Sequence, residues 1–170
     1  MDFKLVGLSY LPSVMEIIAK AKELLKTQSF QWQNGYPNES TMKEDIIKKR
    51  LYGLFDKDEL LGIAALIKGR DPNYLKIDGK WNKEASNDDL VIHRFAVSST
   101  HHNQQVGYKI LNESILLAKK MNCTSIKIDT HKNNIPMQKT ILKAGFTYKG
   151  VVVILSEKID NLRNAYELDL

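Results

Sequence analysis

One cysteine, Cys123, is all that 170 residues contain, so no intrachain disulfide can form and no paired thiols are available to a metal. A reducing cytoplasm is the expected compartment. Long apolar runs are missing too: nothing approaches the ~20 consecutive apolar residues of a membrane-spanning helix, and the first residues lack the basic start and apolar stretch of an export signal. Neither sign of charge gathers into a block. Lysine and arginine number 25 against 20 acids, a formal +5 spread along the chain, which suits a polyanionic ligand without specifying one. Exposed aromatics interleaved with a basic stripe are absent, which argues against a nucleic-acid-binding domain. His101 and His102 are neighbours in a loop, where two residues rarely chelate one ion, and no carboxylate or thiol completes a set, so no metal is expected. Internal repeats and low-complexity segments are absent as well.

What is present suffices for one core. At 43% hydrophobic content the chain can offset the entropy of ordering itself, and its length fits a single domain spanning residues 1–170. After a short strand-like start, Val14, Ile17, Ile18, Ala21, Leu24 and Leu25 line one face of a helix over 13–26, with Pro12 near its start. Residues 30–39 mix Trp32, Gly35, Tyr36 and Pro37, which reads as a loop presenting ring faces. Thr41 followed by Glu44 is a capping-box pattern, and predicts a second helix with Ile46, Ile47 and Leu51 as its buried stripe. Two apolar runs around the polar residues 56–59 predict an antiparallel hairpin over 52–67. Residues 68–89, rich in Gly, Pro, Asn and Asp, read as an irregular insertion anchored by Tyr74, Ile77 and Trp81.

From Leu90 the periodicities sharpen: a strand over 90–97, a polar loop, a helix carrying Val106, Ile110, Leu111, Leu117, Ala118 and Met121, and a strand over 125–130. A shorter helix begins near Asn134, carries Met137, Ile141 and Leu142, and is ended by Gly145; strands over 146–155 and 163–170 close the chain. The order predicts an α/β mixed sheet of six or seven strands flanked by about four helices, with a parallel right-handed crossover from 90 to 130 that sets a helix N-terminus beside a strand end.

At that junction the chain reads Val97-Ser98-Ser99-Thr100-His101-His102-Asn103-Gln104-Gln105-Val106-Gly107-Tyr108. This resembles the acyl-CoA signature of the GNAT family of N-acetyltransferases: Arg or Gln, two residues, Gly, one residue, then Gly or Ala, ahead of an apolar helix. One register places His102, Gln105 and Gly107 at the three signature positions; a second places Gln104 at the first and Gly107 at the second. Downstream, Asp129-Thr130-His131, Asn134, Met137-Gln138 and Gly145-Phe146 are similar to the family's second block, and Gln31 to Pro37 and Ile92 to Val97 are similar to segments of a bacterial subgroup, so the resemblance covers nearly the whole chain. Amides at such a helix start are unsatisfied by the helix and suit a pyrophosphate.

The resemblance implies acetyl-CoA as cosubstrate, lying between splayed parallel strands, with cofactor contacts from Phe95, Ala96, Val97, His102, Asn103, Gln104, Gln105, Val106, Gly107, Tyr108 and Asn134. It implies acyl transfer to a primary amine of a small molecule or a protein N-terminus; a non-catalytic acyl-CoA-binding module is the alternative. Where many relatives place a tyrosine that protonates the leaving thiolate, this chain has Ile141. Proton-transfer candidates on the strand ends are His93, Asp129 and His131, while Trp32, Tyr36 and Arg94 are candidates for the acceptor pocket. His93 and Arg94 are adjacent on a strand, so at most one of them is expected to face the cleft; Asp129 reads equally well as a buried partner of Arg94. Nothing resembles an activated nucleophile with its base, so direct transfer in a ternary complex is expected. A homodimer stays open.

Overall fold

The computed structural model describes residues 1–100 and 105–170. Eight strands, β1 (Asp2–Leu5), β2 (Leu51–Asp56), β3 (Glu59–Lys68), β4 (Asp78–Gly79), β5 (Asp89–Val97), β6 (Ser125–Thr130), β7 (Thr147–Val153) and β8 (Leu162–Asp169), form one mixed sheet in the order β1-β2-β3-β5-β6-β8-β7-β4. Six or seven strands were expected. The eighth is β4, two residues inside the irregular segment that pair with β7 at Asp78↔Val151 and Gly79↔Gly150, too short to leave a periodic signal.

Four helices flank the sheet: α1 (Leu11–Lys26), α2 (Glu39–Ile47), α3 (Val106–Lys120) and α4 (Ile135–Lys143). The cap of α2 lies three residues before the predicted one. Asn38 Oδ1 accepts the Thr41 N–H at 2.9 Å, so Thr41 is already helical, and Leu51 belongs to β2. Met42 and Ile46 form the buried face of that helix, whereas Ile47 is exposed. Leu24 and Leu142, also expected inside, are exposed as well.

Strand alternation divides the core in two. Leu54, Leu61, Leu66, Leu90, Ile92, Ile126 and Ile128 pack with Val106, Ile110, Leu111 and Ala118 of α3 and with Ile141 of α4. On the opposite face Phe55, Leu60, Ile63 and Ala65 pack with Val14, Ile17 and Ile18 of α1 and with Met42 and Ile46 of α2. Farther along that second face Tyr74 and Trp81 cover Val91, Val152 and Ala165. Truncating Ile110 or Leu111 to alanine would cost about 2–5 kcal/mol, since both are fully buried. Among the described residues no helix is long and apolar enough to cross a membrane.

Two features of this frame create a site. Strands β5 and β6 are parallel, as the crossover required, but their pairing ends at Ile92↔Ile128 while β5 continues to Val97 along β3 and β6 continues to Thr130 along β8. The strands therefore splay. In addition, β5 carries a bulge: Ala65 faces His93 and Ile63 faces Ala96, so Arg94 and Phe95 together oppose Ala64.

Candidate active site at the splayed strands

Two cavities open at the splay. The larger, about 730 Å³, runs along the end of β5 and the start of α3, and is lined by Phe95, Ala96, Val97, Gln105, Val106, Gly107, Tyr108 and Asn134 among others. Every described residue expected to contact the cofactor lines it; His102, Asn103 and Gln104 lie outside the described residues. The N–H groups of Val106, Gly107 and Tyr108 form the first turn of α3 and precede its first intrahelical bond, from Lys109 N to Gln105 O at 3.0 Å. Lys20 and Lys143 add positive charge to the wall. Half-exposed Leu24 joins them, so the apolar residue that α1 leaves outside the core serves this cavity.

Gln105 stands where the first register expects glycine, and it adopts φ +54°, the left-handed region in which glycine is unstrained. Lys143 holds the side chain in place: its Nζ lies 3.1 Å from Gln105 Oε1 and 4.6 Å from the centre of the Tyr108 ring. Gly107 is different. A Cβ there would meet Thr140 and Phe95 no closer than 3.4 Å, so the protein itself leaves room for a side chain.

The smaller cavity, about 350 Å³, lies on the sheet face shared by α1, α2 and the 69–88 segment, and is lined by Trp32, Tyr36, His93, Arg94, Asp129 and Asn134 among others. Leu25, Trp32, Phe95, Asn134 and Met137 line both cavities and mark where they meet. His93 and Arg94 face the same cavity, against the expectation from simple alternation, because the bulge puts Arg94 at φ +46° and breaks the period of two. Trp32 is likewise left-handed, at φ +63°. Three of the left-handed non-glycine residues, Trp32, Arg94 and Gln105, thus stand on the cavity walls.

Arg94 does not pair with Asp129. Its Nε and Nη2 bind the fully buried Asp45, Nη2 at 3.0 Å from Oδ1, and Nη1 donates to the Tyr36 phenol at 2.7 Å. Arg50 Nε donates to the same carboxylate at 2.5 Å. The wall containing Tyr36 is therefore tied through Arg94 to the last turn of α2. Asp129 instead accepts from the Tyr74 phenol at 2.7 Å. Burial pushes its carboxyl above the usual range, and the charges of His93 and Arg163 and the Tyr74 hydrogen bond offset this only in part. His93 Nε2 lies 2.6 Å from Asp71 Oδ2.

His131 is placed elsewhere. It is buried, lines neither cavity, and has both ring nitrogens engaged: Nδ1 accepts from Asn133 N–H at 3.1 Å and Nε2 lies 2.8 Å from Asp160 Oδ1. Asn134 Oδ1 caps α4 by accepting from Met137 N at 3.3 Å. Ile141 is fully buried among core residues and faces neither cavity. Sequence reasoning missed Asp71, Tyr74, Lys20 and Lys143. Asp71 before Pro72 is a legible helix-start pair, and Asp71 Oδ1 does accept from Asn73 N at 2.8 Å, but nothing local says that its other oxygen meets His93.

The fold has known counterparts. A curated Escherichia coli streptothricin acetyltransferase is 26% identical over 75% of this chain, and the chain spans 63% of that protein's length. A crystal structure of a GNAT-family acetyltransferase from Streptococcus agalactiae superposes with a TM-score of 0.82 at 29% identity, covering 99% of this chain and 95% of its own. The PaiA N-acetyltransferase of Thermoplasma acidophilum, solved in complex with coenzyme A, shares the fold at a TM-score of 0.72 and 13% identity, covering 99% of this chain and 98% of its own. With residues 13–146 matching the model of the acetyltransferase (GNAT) family, the chain belongs to that family.

Proposed function

We propose that the protein is an N-acetyltransferase that carries an acetyl group from acetyl-CoA directly to a primary amine. The observation that carries this reading is the meeting of two cavities at the splay of β5 and β6, one bordered by the first-turn amides of α3, which the helix itself does not satisfy, the other polar and lined by His93 and Asp129. A thioester donor fits the larger cavity: the amides of Val106, Gly107 and Tyr108 with Lys143 suit its phosphates, and the backbone of Phe95 to Val97, free of β6, suits its pantetheine amides. When bound, acetyl-CoA supplies an acyl carbonyl and a thiolate leaving group. Asn134, whose Nδ2 remains available after Oδ1 has capped α4, sits where the two cavities join.

Transfer requires a neutral amine, so an arriving ammonium must lose a proton. His93 is assigned as the proton acceptor and Asp129 as the carboxylate that draws the ammonium in; His131, engaged on both nitrogens away from the cavity, is given no part. Trp32, Tyr36 and Arg94 wall the acceptor. The cavity's modest size and the streptothricin acetyltransferase relative favour a small-molecule amine over a protein N-terminus.

Ile141 favours one other reading, a module that binds acyl-CoA without turnover, because no phenol stands at that position to protonate a thiolate. Free thiols titrate near ~8.5, so a thiolate leaves at neutral pH without one. Release of CoA thiol across a panel of amines decides between the two. Turnover with any amine supports the enzyme; stabilisation by acetyl-CoA, ~2.7 kcal/mol at ~100 times its Kd, with no thiol released from any amine would leave only the binding module.

A further inference from the structure

Residues 69–88, the part of the expected 68–89 insertion that lies between β3 and β5, are clasped to the sheet. Gly79 and Gly150 pass so closely that a Cβ on Gly79 would sit 2.1 Å from the Lys149 carbonyl oxygen. The N–H groups of Asn82 and Lys83 donate to Glu167 at 2.6 and 3.2 Å, and Trp81 Nε1 donates to the Tyr74 carbonyl at 2.9 Å. A segment held at so many points is a fixed wall rather than a loose loop. That wall brings one polar group to each of the two side chains assigned to chemistry: the Tyr74 phenol to Asp129, and the Asp71 carboxylate to His93.

The Asp71 contact determines more than position. A carboxylate only accepts, so His93 Nε2 carries the ring proton and donates it, which leaves the lone pair on Nδ1. Nδ1 has no hydrogen-bond partner among the described residues, and the ring lines the acceptor cavity. Asp71 is itself an anion: burial pushes its carboxyl up, but the hydrogen bond from His93, the charge of that ring when protonated and the bonds from Asn73 outweigh this and hold it below its usual range.

We infer that Asp71 is a positioning residue of this site, locking His93 in the tautomer whose Nδ1 accepts the proton of the incoming ammonium and stabilising the imidazolium that results. The inference rests on the acetyltransferase reading. In balance, one proton passes from the ammonium to Nδ1, a C–N bond forms as the C–S bond breaks, the departing thiolate gains a proton as the new amide nitrogen loses one, and the imidazolium returns its proton to solvent. The groups facing His93 are Asp71 and Tyr74 from the 69–88 segment, Asp129 from β6, Arg163 from β8 and Glu157 from the loop before it, with Arg94 adjacent on β5. Asp129 and Arg163 bring opposing charges, and among the described residues Asp71 is the one charged group in hydrogen-bond contact with the ring.

The test is the pH profile of kcat/KM, with the best amine of the panel, for the wild type, Asp71→Asn, Asp71→Glu and Asp129→Asn. Asp71→Asn should lower kcat about 10-fold or more, a fraction of the ~10²–10⁴ that general-base catalysis supplies. Its amine KM should change little and the acidic limb should move to lower pH, because the anion favouring the protonated ring is gone. Asp71→Glu should recover part of kcat, Asp129→Asn should act chiefly on amine KM, and the thermal shift with acetyl-CoA should survive in all. Imidazole ¹⁵N NMR of the wild type reads the tautomer without any variant. An Nδ1-protonated His93, or an Asp71→Asn enzyme with wild-type kcat and acidic limb while the wild type turns over, overturns the inference alone; a wild type inert toward every amine overturns the acetyltransferase reading and this with it.

Discussion

The phenol of Tyr74 donates a hydrogen bond to Oδ2 of Asp129 across 2.7 Å, joining an irregular surface segment to the tip of a central strand. Burial raises the Asp129 carboxyl, and the same burial together with the Asp129 charge pushes the Tyr74 phenol well above its ordinary value, so the proton stays on the phenol and Asp129 is the acceptor. The pair keeps a carboxylate in a partly dry cavity, where it is useful to a cation and costly to the fold.

That cost is measurable in Asp129→Asn. A carboxyl raised on folding binds more protons in the native state than in the unfolded one, so its contribution to stability declines as pH rises from the ordinary carboxylate range through the raised folded value. The asparagine variant, which can still accept from Tyr74, should therefore be more stable than wild type at pH 8, with the difference closing below pH ~3, where both states of the wild type are protonated. Urea midpoints at the two pH values read this. Its amine KM should rise ~10-fold or more, for the loss of a charge-assisted contact.

Gly107→Ala separates the needs of the protein from those of the ligand. The added methyl finds only ordinary contacts with Thr140 and Phe95, and alanine is the better helix former, so thermal stability should hold or rise by up to about 1 kcal/mol. The stabilisation by acetyl-CoA should nevertheless shrink, since the methyl would occupy space that the proposed phosphate contact with the amides requires. A variant with undiminished acetyl-CoA affinity by calorimetry would place the phosphates elsewhere.

Lys143→Gln should leave the fold within about 0.5 kcal/mol, because its partners are Gln105 Oε1 and the face of Tyr108 at an exposed edge. Affinity for CoA should fall ~10-fold, or about 1.4 kcal/mol, and should depend less on salt than in the wild type. Equal salt dependence of the two proteins in titration would exclude a direct part for this lysine.

Asp45→Asn should be the most damaging of these substitutions. Asp45 is fully buried between Arg50 and Arg94; Arg50 keeps Glu44 at 3.6 Å, but removing the Asp45 charge leaves the buried Arg94 guanidinium with only the Tyr36 phenol, at a cost of about 3–5 kcal/mol. Denaturant unfolding measures the loss. Because Arg94 also holds the Tyr36 phenol, amine KM should rise in whatever folded protein remains.

Much of the fold was legible in residue order. The apolar stripes of the helices now bounded at Leu11–Lys26 and Val106–Lys120, the hairpin over β2 and β3, and the parallel crossover all follow from periodicity and chain connectivity, which act over a few residues. Capping was less legible, because Asn38 and Thr41 are both good caps and the choice between them depends on how the preceding loop enters.

The site divides in the same way. The sequence by itself determined that a helix start follows a strand end and that His93, Arg94 and Asp129 lie near strand ends, since each depends on local spacing. Tertiary structure alone decided that a bulge turns both His93 and Arg94 into one cavity, that Asp45 and not Asp129 holds Arg94, and that Asp71 and Tyr74 reach His93 and Asp129. The reason is physical: a hydrogen bond across a sequence separation of 55 residues, as between Tyr74 and Asp129, is set by how sheet and insertion pack, and no periodicity in the chain records it.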